Sequence, residues 1–325
     1  MRRIRAARLQ AGDLVRVITP SQPIGSLRNF RRGIKTLESL GFKVEIAKHA
    51  KAVFGMYQAG TKEQRAEDIN EAFVNKEVKA IFMSGGGFLA NEVLPLLDYK
   101  LIRQNPKIIV GFSDGATLLN AIYTKTGLVT FYGFSIEHFF RRATPYTVDS
   151  FLNLVQEGKA NFQPVTKWRV LKRGKAMGRL IGGNLLSFVN LLGSQYFPDT
   201  TKSILFLEEH NDYSEDFVNS LVRLINVGIF KEGGVQGIIF GKMVDISVGS
   251  GDPDTKKQRP KHFTLYWIIK NLFEPYKIPI LANVDFGVRY RLMTIPIGMK
   301  AVLNLTKKEP RFRLQEPAVR LGLRQ

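Results

Sequence analysis

The chain has 325 residues, and its 48 Lys and Arg residues against 28 Asp and Glu residues give a formal net charge of +20. Hydrophobic residues make up 44% of the chain, which is enough to fill a core and excludes disorder of the whole molecule. The absence of cysteine excludes disulfides, thiolate metal sites, iron–sulfur clusters and a cysteine nucleophile. With only four histidines, a histidine-rich metal centre is not expected, and we predict neither a metal nor a cofactor.

The large positive charge admits two interpretations. Basic residues are spread along the chain, although the first 35 residues are rich in Arg, and no zinc-finger, basic-zipper or RNA-recognition motif is present. A solvated basic surface is therefore favoured over specific nucleic-acid binding, because net charge bears on solubility and non-specific association. A basic α/β protein associated with nucleic acid is a separate and less favoured hypothesis, which specific duplex-DNA binding above about 200 mM salt would support.

Neither a signal peptide nor a membrane span is expected. The basic N-terminus is not followed by an apolar run of signal-peptide length, and no uninterrupted apolar stretch reaches about 18 residues. The sequence therefore predicts a soluble, cytoplasmic protein. Its length predicts two domains, because single cores rarely grow beyond about 250–300 residues.

The first half of the chain alternates short β-branched strands with amphipathic helices. The fourth strand, 107–110, is apolar on both faces, which is typical of a parallel sheet with helices above and below it. We therefore predict a βα layer domain over residues 1–156. Its predicted elements are strands at 14–18, 42–46, 78–83 and 107–110 and helices at 26–40, 61–75 and 91–97.

A polar segment rich in Lys and Arg, residues 157–178, is predicted to connect this domain to a second, mixed α/β domain over residues 179–325. The predicted fold class is thus α/β: a parallel-sheet layer domain followed by a mixed domain, with an active cleft between them. The second domain is expected to open with an apolar helix at Gly182-Gly183-Asn184. Its other predicted elements are strands at 203–207, 237–241, 278–281, 299–305 and 311–314 and helices at 214–227 and 263–273.

The sharpest motif is Gly111-Phe112-Ser113-Asp114-Gly115, between the fourth strand and a helix predicted at 116–126. A G-x-S-x-G turn between a strand and a helix is typical of a nucleophile elbow, in which glycines allow a sharp turn and the serine hydroxyl projects from the sheet edge. The helix amino terminus would stabilise an oxyanion beside Ser113. The alternative is an ordinary strand–turn–helix joint in which Ser113 caps the helix.

Two other polar or glycine-rich features follow predicted strands. The cluster Ser84-Gly85-Gly86-Gly87 offers a backbone N–H to a carbonyl oxygen held over Ser113, or else is a tight turn, and it lacks the spacing of a phosphate-binding loop. Glu208-Glu209 follow the strand 203–207, at an end where loops carry function and an acid can orient a catalytic base. A helix cap or a solvated carboxylate is the common alternative for such residues.

Ordered motifs extend along nearly the whole chain, at 11–21, 60–68, 86–99, 105–114, 125–133, 182–185, 205–208 and 279–298. Together they resemble the LD-carboxypeptidases, the muramoyl-tetrapeptide carboxypeptidases that include the microcin-C immunity peptidases. The segment Asn283-Val-Asp-Phe-Gly287 is similar to the microcin-immunity branch in particular.

The resemblance implies a Ser–His–Glu triad and removal of the C-terminal residue of a peptide, in peptidoglycan tetrapeptides the D-residue that follows an L-centre. On this chain it implies Ser113 as the nucleophile and Glu208 as the triad acid. The backbone N–H groups of Asp114 and Gly87 would form the oxyanion hole. It further implies a small peptide or muropeptide as substrate and a homodimer as the assembly.

The sequence departs from the family at the base. The family's histidine follows Phe-Gly, and Val288 occupies that place here, although valine cannot accept a proton. Loss of a triad member costs several orders of magnitude in turnover. His210 is the candidate substitute, because in an extended segment it shares a face with Glu208 two residues earlier. The alternative is a surface histidine beside an acidic loop, and His138 and His262 are remoter candidates.

Two functional hypotheses result from these observations. The first is a serine-type LD-carboxypeptidase-like hydrolase that removes a C-terminal residue from peptidoglycan-derived or other small peptides and is impaired by Val288. The alternative is a catalytically inactive homologue that binds muropeptide-like or peptide–nucleotide ligands.

Overall fold

The protein consists of two β-sheets with helices packed against them, which confirms the predicted α/β fold class. The computed structural model describes residues 2–160, 162–247, 264–288 and 291–322, and only the backbone of residues 140–142 and 247. Within those ranges no helix has both the length and the apolar character that crossing a bilayer requires.

The strands are β1 Leu14–Ile18, β2 Lys43–Ile46, β3 Val78–Met83, β4 Ile108–Gly111, β5 Thr130–Tyr132, β6 Arg169–Lys172, β7 Lys175–Asn184, β8 Ser203–Tyr213, β9 Val235–Ser247, β10 Ile280–Ala282, β11 Ile295–Ile297, β12 Lys300–Asn304 and β13 Arg311–Leu314. The α-helices are α1 Leu27–Ser39, α2 Lys62–Val74, α3 Tyr99–Gln104, α4 Gly115–Thr126, α5 Ile136–Arg142, α6 Pro145–Gln156, α7 Leu185–Val189, α8 Ser214–Asn226 and α9 Leu265–Leu272. A 3₁₀-helix spans Ala90–Leu96.

The first sheet has the strand order β11-β5-β4-β3-β1-β2, and all its strands except β11 run parallel. All four residues of β4 are buried, as the apolar pattern predicts for a strand with helices on both sides. Because parallel strands end at one edge, the turns after β1, β3 and β4 come together there. Ser21, the glycines 85–87 and Ser113 lie on those turns.

The second sheet has the order β13-β12-β7-β8-β9-β10-β6. Its central strands β7, β8, β9 and β10 are parallel, and β12, β13 and β6 are antiparallel to their neighbours. Strand β8 is buried from Ser203 to Glu209. Glu208 and Glu209 therefore lie inside a long buried strand and not in a loop after it, which corrects the predicted strand end at 207.

Other predicted elements differ in type or extent. The element predicted as a helix at 91–97 is the 3₁₀-helix, in which Pro95 lacks the N–H that an α-helix would use. Asn184 does open a helix, since its side chain accepts a hydrogen bond from Ser187 N (3.1 Å), but α7 has only five residues. The ten residues up to Asn184 form β7, which the pattern does not predict.

Sheet membership does not follow chain order. Strand β6, inside the segment 157–178 predicted as a connection, pairs with β10 in the second sheet. Strand β11, inside the predicted second domain, pairs with β5 at the edge of the first sheet. Both pairings join strands that are far apart in the sequence, so the local pattern of hydrophobic residues does not predict them.

Helix α4 joins the two sheets. The Asn120 amide donates to the carbonyl of Gly182 (2.8 Å) and accepts from its N–H (3.3 Å). A methyl group on Gly183 would lie 2.7 Å from the Ala116 Cβ and 3.0 Å from the Tyr132 ring, so only glycine permits this approach. Close packing of α4 on β7 brings Ser113, which precedes α4, next to the neighbouring strand β8.

Candidate active site

Ser113 occupies a strained turn between β4 and α4. Its φ of +55° lies in the left-handed region, which is uncommon for a residue other than glycine. A methyl group on Gly86 would come within 2.9 Å of the Ser113 Cβ and 3.0 Å of its Oγ, so the glycine cluster lies directly against the hydroxyl. No hydrogen bond from the Ser113 side chain caps α4 among the described contacts, and this geometry is the one expected of a nucleophile elbow.

A single phenol links Ser113 to the predicted acid. The backbone N–H of Ser113 donates to the Tyr132 hydroxyl (3.2 Å), which in turn donates to Glu208 Oε1 (2.6 Å). Burial, reinforced by the Glu208 carboxylate, raises the pKa of Tyr132 well above its ordinary value, so the phenol remains a donor. The structure therefore brings Ser113 and Glu208 together from two different sheets.

His210 and Val288 both lie near Glu208. His210 Nδ1 is 3.6 Å from Glu208 Oε2, and the His210 ring stacks on Phe112 with 5.9 Å between ring centroids. The His210 side chain is only 20% exposed, so it is not a free surface histidine. Val288 is half-buried and lines the same cavity as Ser113 and His210.

The segment before Val288 passes over the acid. A methyl group on Gly287 would lie 3.1 Å from Glu208 Oε2, and the Gly287 φ of +113° is a conformation that favours glycine. Glu208 is completely buried, and Oε2 has no hydrogen-bond donor in the part of the chain that the structure describes. Gly287, which directly precedes Val288, is thus adjacent to the carboxylate oxygen that Tyr132 does not bind.

The predicted oxyanion residues lie beside the turn but differ in their surroundings. The Asp114 carboxylate accepts hydrogen bonds from Ser21 Oγ (2.6 Å) and Ala90 N (2.8 Å), which ties the start of α4 to two neighbouring turns. Gly87 packs against Ser21, where an added methyl group would be 2.2 Å from Oγ. Gly86 is the glycine that contacts Ser113, and sequence reasoning did not single it out within the cluster.

Ser113 opens into a cavity of about 500 Å³ between the two sheets. Its lining includes the acidic side chains Glu137, Glu209 and Asp212, and among the described residues that line it there is no Lys or Arg. Burial and the neighbouring Glu208 raise the pKa of Glu209 to about 7, against hydrogen bonds from Leu186 N, His210 N and the Asn184 amide. The described lining of this cavity thus contains acidic side chains and no basic ones, in a protein whose net charge is +20, and we call it the acidic cavity.

The remaining histidines do not approach the Glu208 carboxylate in the described contacts. His138 lines the cavity and pairs with Ser135 Oγ (3.2 Å), and His262 lies outside the described residues. Sequence reasoning also missed Tyr132, although it belongs to one of the quoted motifs, since only the paired sheets reveal that its hydroxyl reaches Glu208. Over the described ranges, no group of three or more His, Asp or Glu side chains is placed to hold a metal ion.

Comparison with protein families agrees with this arrangement. Residues 15–133 match the LD-carboxypeptidase N-terminal domain, and residues 177–303 match the LD-carboxypeptidase C-terminal domain. The chain belongs to the LD-carboxypeptidase family. Ser113 and Tyr132 fall in the first matched domain, and Glu208 and Val288 fall in the second.

The chain aligns over most of its length with the following relatives. A putative carboxypeptidase of Bacillus subtilis is 33% identical, with 90% of this chain and 94% of the relative covered. The microcin C7 self-immunity protein MccF of Escherichia coli is 30% identical, with 93% and 94% covered. A solved structure of the microcin C7 self-immunity protein in complex with aspartyl sulfamoyl adenosine is 26% identical, covers 98% of this chain and 100% of its own, and superposes with a TM-score of 0.84.

Proposed function

We propose that this LD-carboxypeptidase is a slow serine hydrolase that releases the C-terminal residue of small peptides, peptidoglycan-derived or of similar size. The observation that carries the proposal is the Ser113–Tyr132–Glu208 chain, which links a strained serine at the cavity to a buried acid behind it. Val288 at the family's base position lowers the rate, because no imidazole is supplied from that segment.

The residues support an acyl-transfer sequence. Ser113 Oγ attacks the carbonyl carbon of the scissile amide, and its proton passes to a base. The carbonyl oxygen becomes an oxyanion, which the Asp114 N–H and an N–H of the glycine cluster would stabilise at the start of α4. The C–N bond breaks as the base returns the proton to the leaving amine. Water then attacks the acyl-enzyme, and the peptide acid leaves as Ser113 is restored.

His210 is the base that the geometry favours in place of Val288. Its Nδ1 approaches Glu208 Oε2 at 3.6 Å, which is longer than a hydrogen bond, while Tyr132 holds the other oxygen of the same carboxylate. An acid beside Nδ1 stabilises the imidazolium and leaves the other ring nitrogen for the proton transfer. The long separation is consistent with weak general-base assistance.

The acidic cavity bears on the substrate. With Glu137 and Asp212 in its lining, and Glu209 partly ionised near pH 7, a peptide that carries a free ammonium group would be attracted, and a polyanionic peptide would be repelled.

The resemblance also implies a homodimer, and that assembly stays a prediction.

Labelling with a serine-directed phosphonate tests the nucleophile. We expect one phosphonyl group per chain, located on Ser113 by peptide mass spectrometry, and no label on Ser113→Ala, because the strained turn presents this hydroxyl to the cavity. Ser135→Ala, which also alters a serine of the cavity, is the control and should label normally. Equal labelling of Ser113→Ala and wild type would contradict the assignment of the nucleophile.

The base is tested by His210→Ala. We expect kcat for a peptide substrate to fall about tenfold, below the usual range for a well-placed base because the contact with Glu208 is long. His49→Ala, which alters a histidine paired with Glu67 away from the cavity, should leave kcat unchanged. An unaltered rate in His210→Ala would remove this residue from the mechanism.

The alternative function is binding without cleavage, and the valine at the base position favours it. In that case wild type would bind a muropeptide-like or peptide–nucleotide ligand in calorimetry, and no product would appear on prolonged incubation with it. Release of the C-terminal residue by wild type and not by Ser113→Ala would decide for the hydrolase.

A further inference from the structure

The two ends of the described chain pair with each other beside the first sheet. Ile4 N donates to the carbonyl of Gly127 (2.8 Å), and Arg320 N donates to the carbonyl of Ala6 (2.8 Å). The backbone of the N-terminal segment is thus held on both sides. The side chains that project from these two segments are therefore held in fixed positions relative to one another.

Six arginines line two cavities formed there, which share one arginine and together form a groove. A cavity of about 330 Å³ is lined by five of them together with Ile4 and Pro106, and a neighbouring cavity of about 470 Å³ shares one of these and adds a sixth. We call this feature the arginine groove, and its arginines are Arg2, Arg3, Arg5, Arg8, Arg103 and Arg320.

The groove has a large excess of positive charge. Glu316 forms an ion pair with Arg3 and lies 3.6 Å from Arg5 Nη1, and it is the only carboxylate that the described ion pairs place among these arginines. Arg2, Arg8 and Arg320 are exposed. Guanidinium groups stay charged at any physiological pH, so six of them against one carboxylate produce a strong local field.

The groove is separate from the active site. Pro106 comes just before β4 and Gly127 comes shortly before β5, so the groove lies at the amino ends of these strands. Ser113 follows the carboxyl end of β4. The two features therefore lie at opposite ends of the strands of the first sheet. The function of the acidic cavity does not explain why arginines cluster in the groove.

We infer that the arginine groove binds an anion made of several linked phosphate groups. The planar guanidinium fork matches the oxygens of a phosphate in paired hydrogen bonds, and several forks around one groove match several phosphates in a row. A single phosphate would leave most of the charge uncompensated. The ligand is the phosphate chain itself, whether it comes from an inorganic polyphosphate or from the triphosphate of a nucleotide.

Calorimetric titration with tripolyphosphate at about 0.15 M salt tests the inference. We expect a Kd below about 100 μM, and binding at least about tenfold weaker for inorganic phosphate. The double variant Arg2→Gln/Arg320→Gln should bind tripolyphosphate at least about tenfold less tightly, because each charge-assisted hydrogen bond to a phosphate contributes to the binding free energy. Arg223→Gln, an exposed arginine on α8, is the matched control and should change the Kd less than about twofold.

A parallel titration with ATP distinguishes the two sources. Equal affinities for ATP and tripolyphosphate would show that the groove reads phosphate alone, and tighter binding of ATP would identify a nucleotide; either supports the inference. Absence of heat with tripolyphosphate at 1 mM or equal loss in Arg223→Gln would overturn it. Citrate bound as tightly as tripolyphosphate would also overturn it, because that would show a general attraction for anions. The measurement does not depend on hydrolysis at Ser113.

Discussion

Val288→His is expected to raise kcat for a peptide substrate by roughly 100-fold, at the lower end of the range for a general base. The physical reason is the position of Val288, which directly follows Gly287. A methyl group added to Gly287 would lie 3.1 Å from Glu208 Oε2. That oxygen has no hydrogen-bond donor within the described ranges, while Tyr132 fixes the other one. An imidazole at residue 288 would lie beside a carboxylate that Tyr132 already orients. It would also lie at the cavity into which Ser113 opens.

Three further variants test whether the imidazole itself, and not another consequence of the substitution, raises kcat. Val288→Leu keeps an apolar side chain at the cavity and should not raise kcat. Val288→His/Ser113→Ala should have no activity above background. In the Val288→His background, His210→Ala should cost far less than in wild type, because the base is then supplied from residue 288. If Val288→His binds substrate and labels at Ser113 but kcat does not rise, the vacant-base explanation is wrong.

Asp285→Ala is expected to lower the free energy of unfolding by about 3–5 kcal/mol, the range for breaking a buried ion pair. Asp285 is completely buried, and its carboxylate accepts hydrogen bonds from Val165 N (3.0 Å), Thr166 Oγ1 (2.5 Å) and Trp168 Nε1 (2.8 Å). Lys242 Nζ lies 3.3 Å from it. Removal of the carboxylate would leave the buried Trp168 N–H without its acceptor and would take the opposite charge away from the buried Lys242.

The control and the measurement are direct. Asp199→Ala removes a largely exposed aspartate paired with Arg179 and should cost less than about 1 kcal/mol. Urea unfolding at pH 7 compares the two variants with wild type. A loss in Asp285→Ala no larger than in Asp199→Ala would contradict the role assigned to Asp285.

The same carboxylate predicts a dependence on pH. Burial tends to raise the pKa of Asp285, but the hydrogen bonds from Thr166 and Trp168, with smaller help from Lys242, outweigh it and hold the pKa below the ordinary value of 3.8. A carboxyl with a lowered folded-state pKa stabilises the protein above about pH 4, and this stability is lost as the pH falls through the folded value. The stability difference between wild type and Asp285→Asn should therefore shrink as the pH falls from about 5 to 2.5.

Most of the first sheet was predictable because its information is local. The strand Leu14–Ile18 and the strand Val78–Met83 have the predicted bounds, since alternating and apolar runs between glycines and polar turns specify strands without long-range help. The turn at Ser113 was predictable for the same reason, because the flanking glycines and the following helix are adjacent in the sequence.

Other features depended on partners far along the chain. Ile295–Ile297 joins the first sheet through β5, and Arg169–Lys172 joins the second through β10, in segments whose composition indicated neither. The predicted strand 203–207 was shorter than β8 because Glu208 and Glu209 resemble the polar residues that usually follow a strand. They are in fact buried, with hydrogen bonds from Tyr132 and Asn184 in place of water.

The sequence by itself determined the α/β class, the turn that carries Ser113 and the valine at residue 288, and the family resemblance implied Glu208 as the acid. Only the tertiary structure decided that Tyr132 joins the serine to the acid and that Gly86 contacts Ser113. It also decided that His210 lies against Glu208 and that segments near both ends of the described residues bring arginines to one groove. The reason is physical: hydrophobic periodicity and turn chemistry act between neighbours in sequence. The contacts of these side chains form only when two sheets, separated along the chain, are packed together through α4.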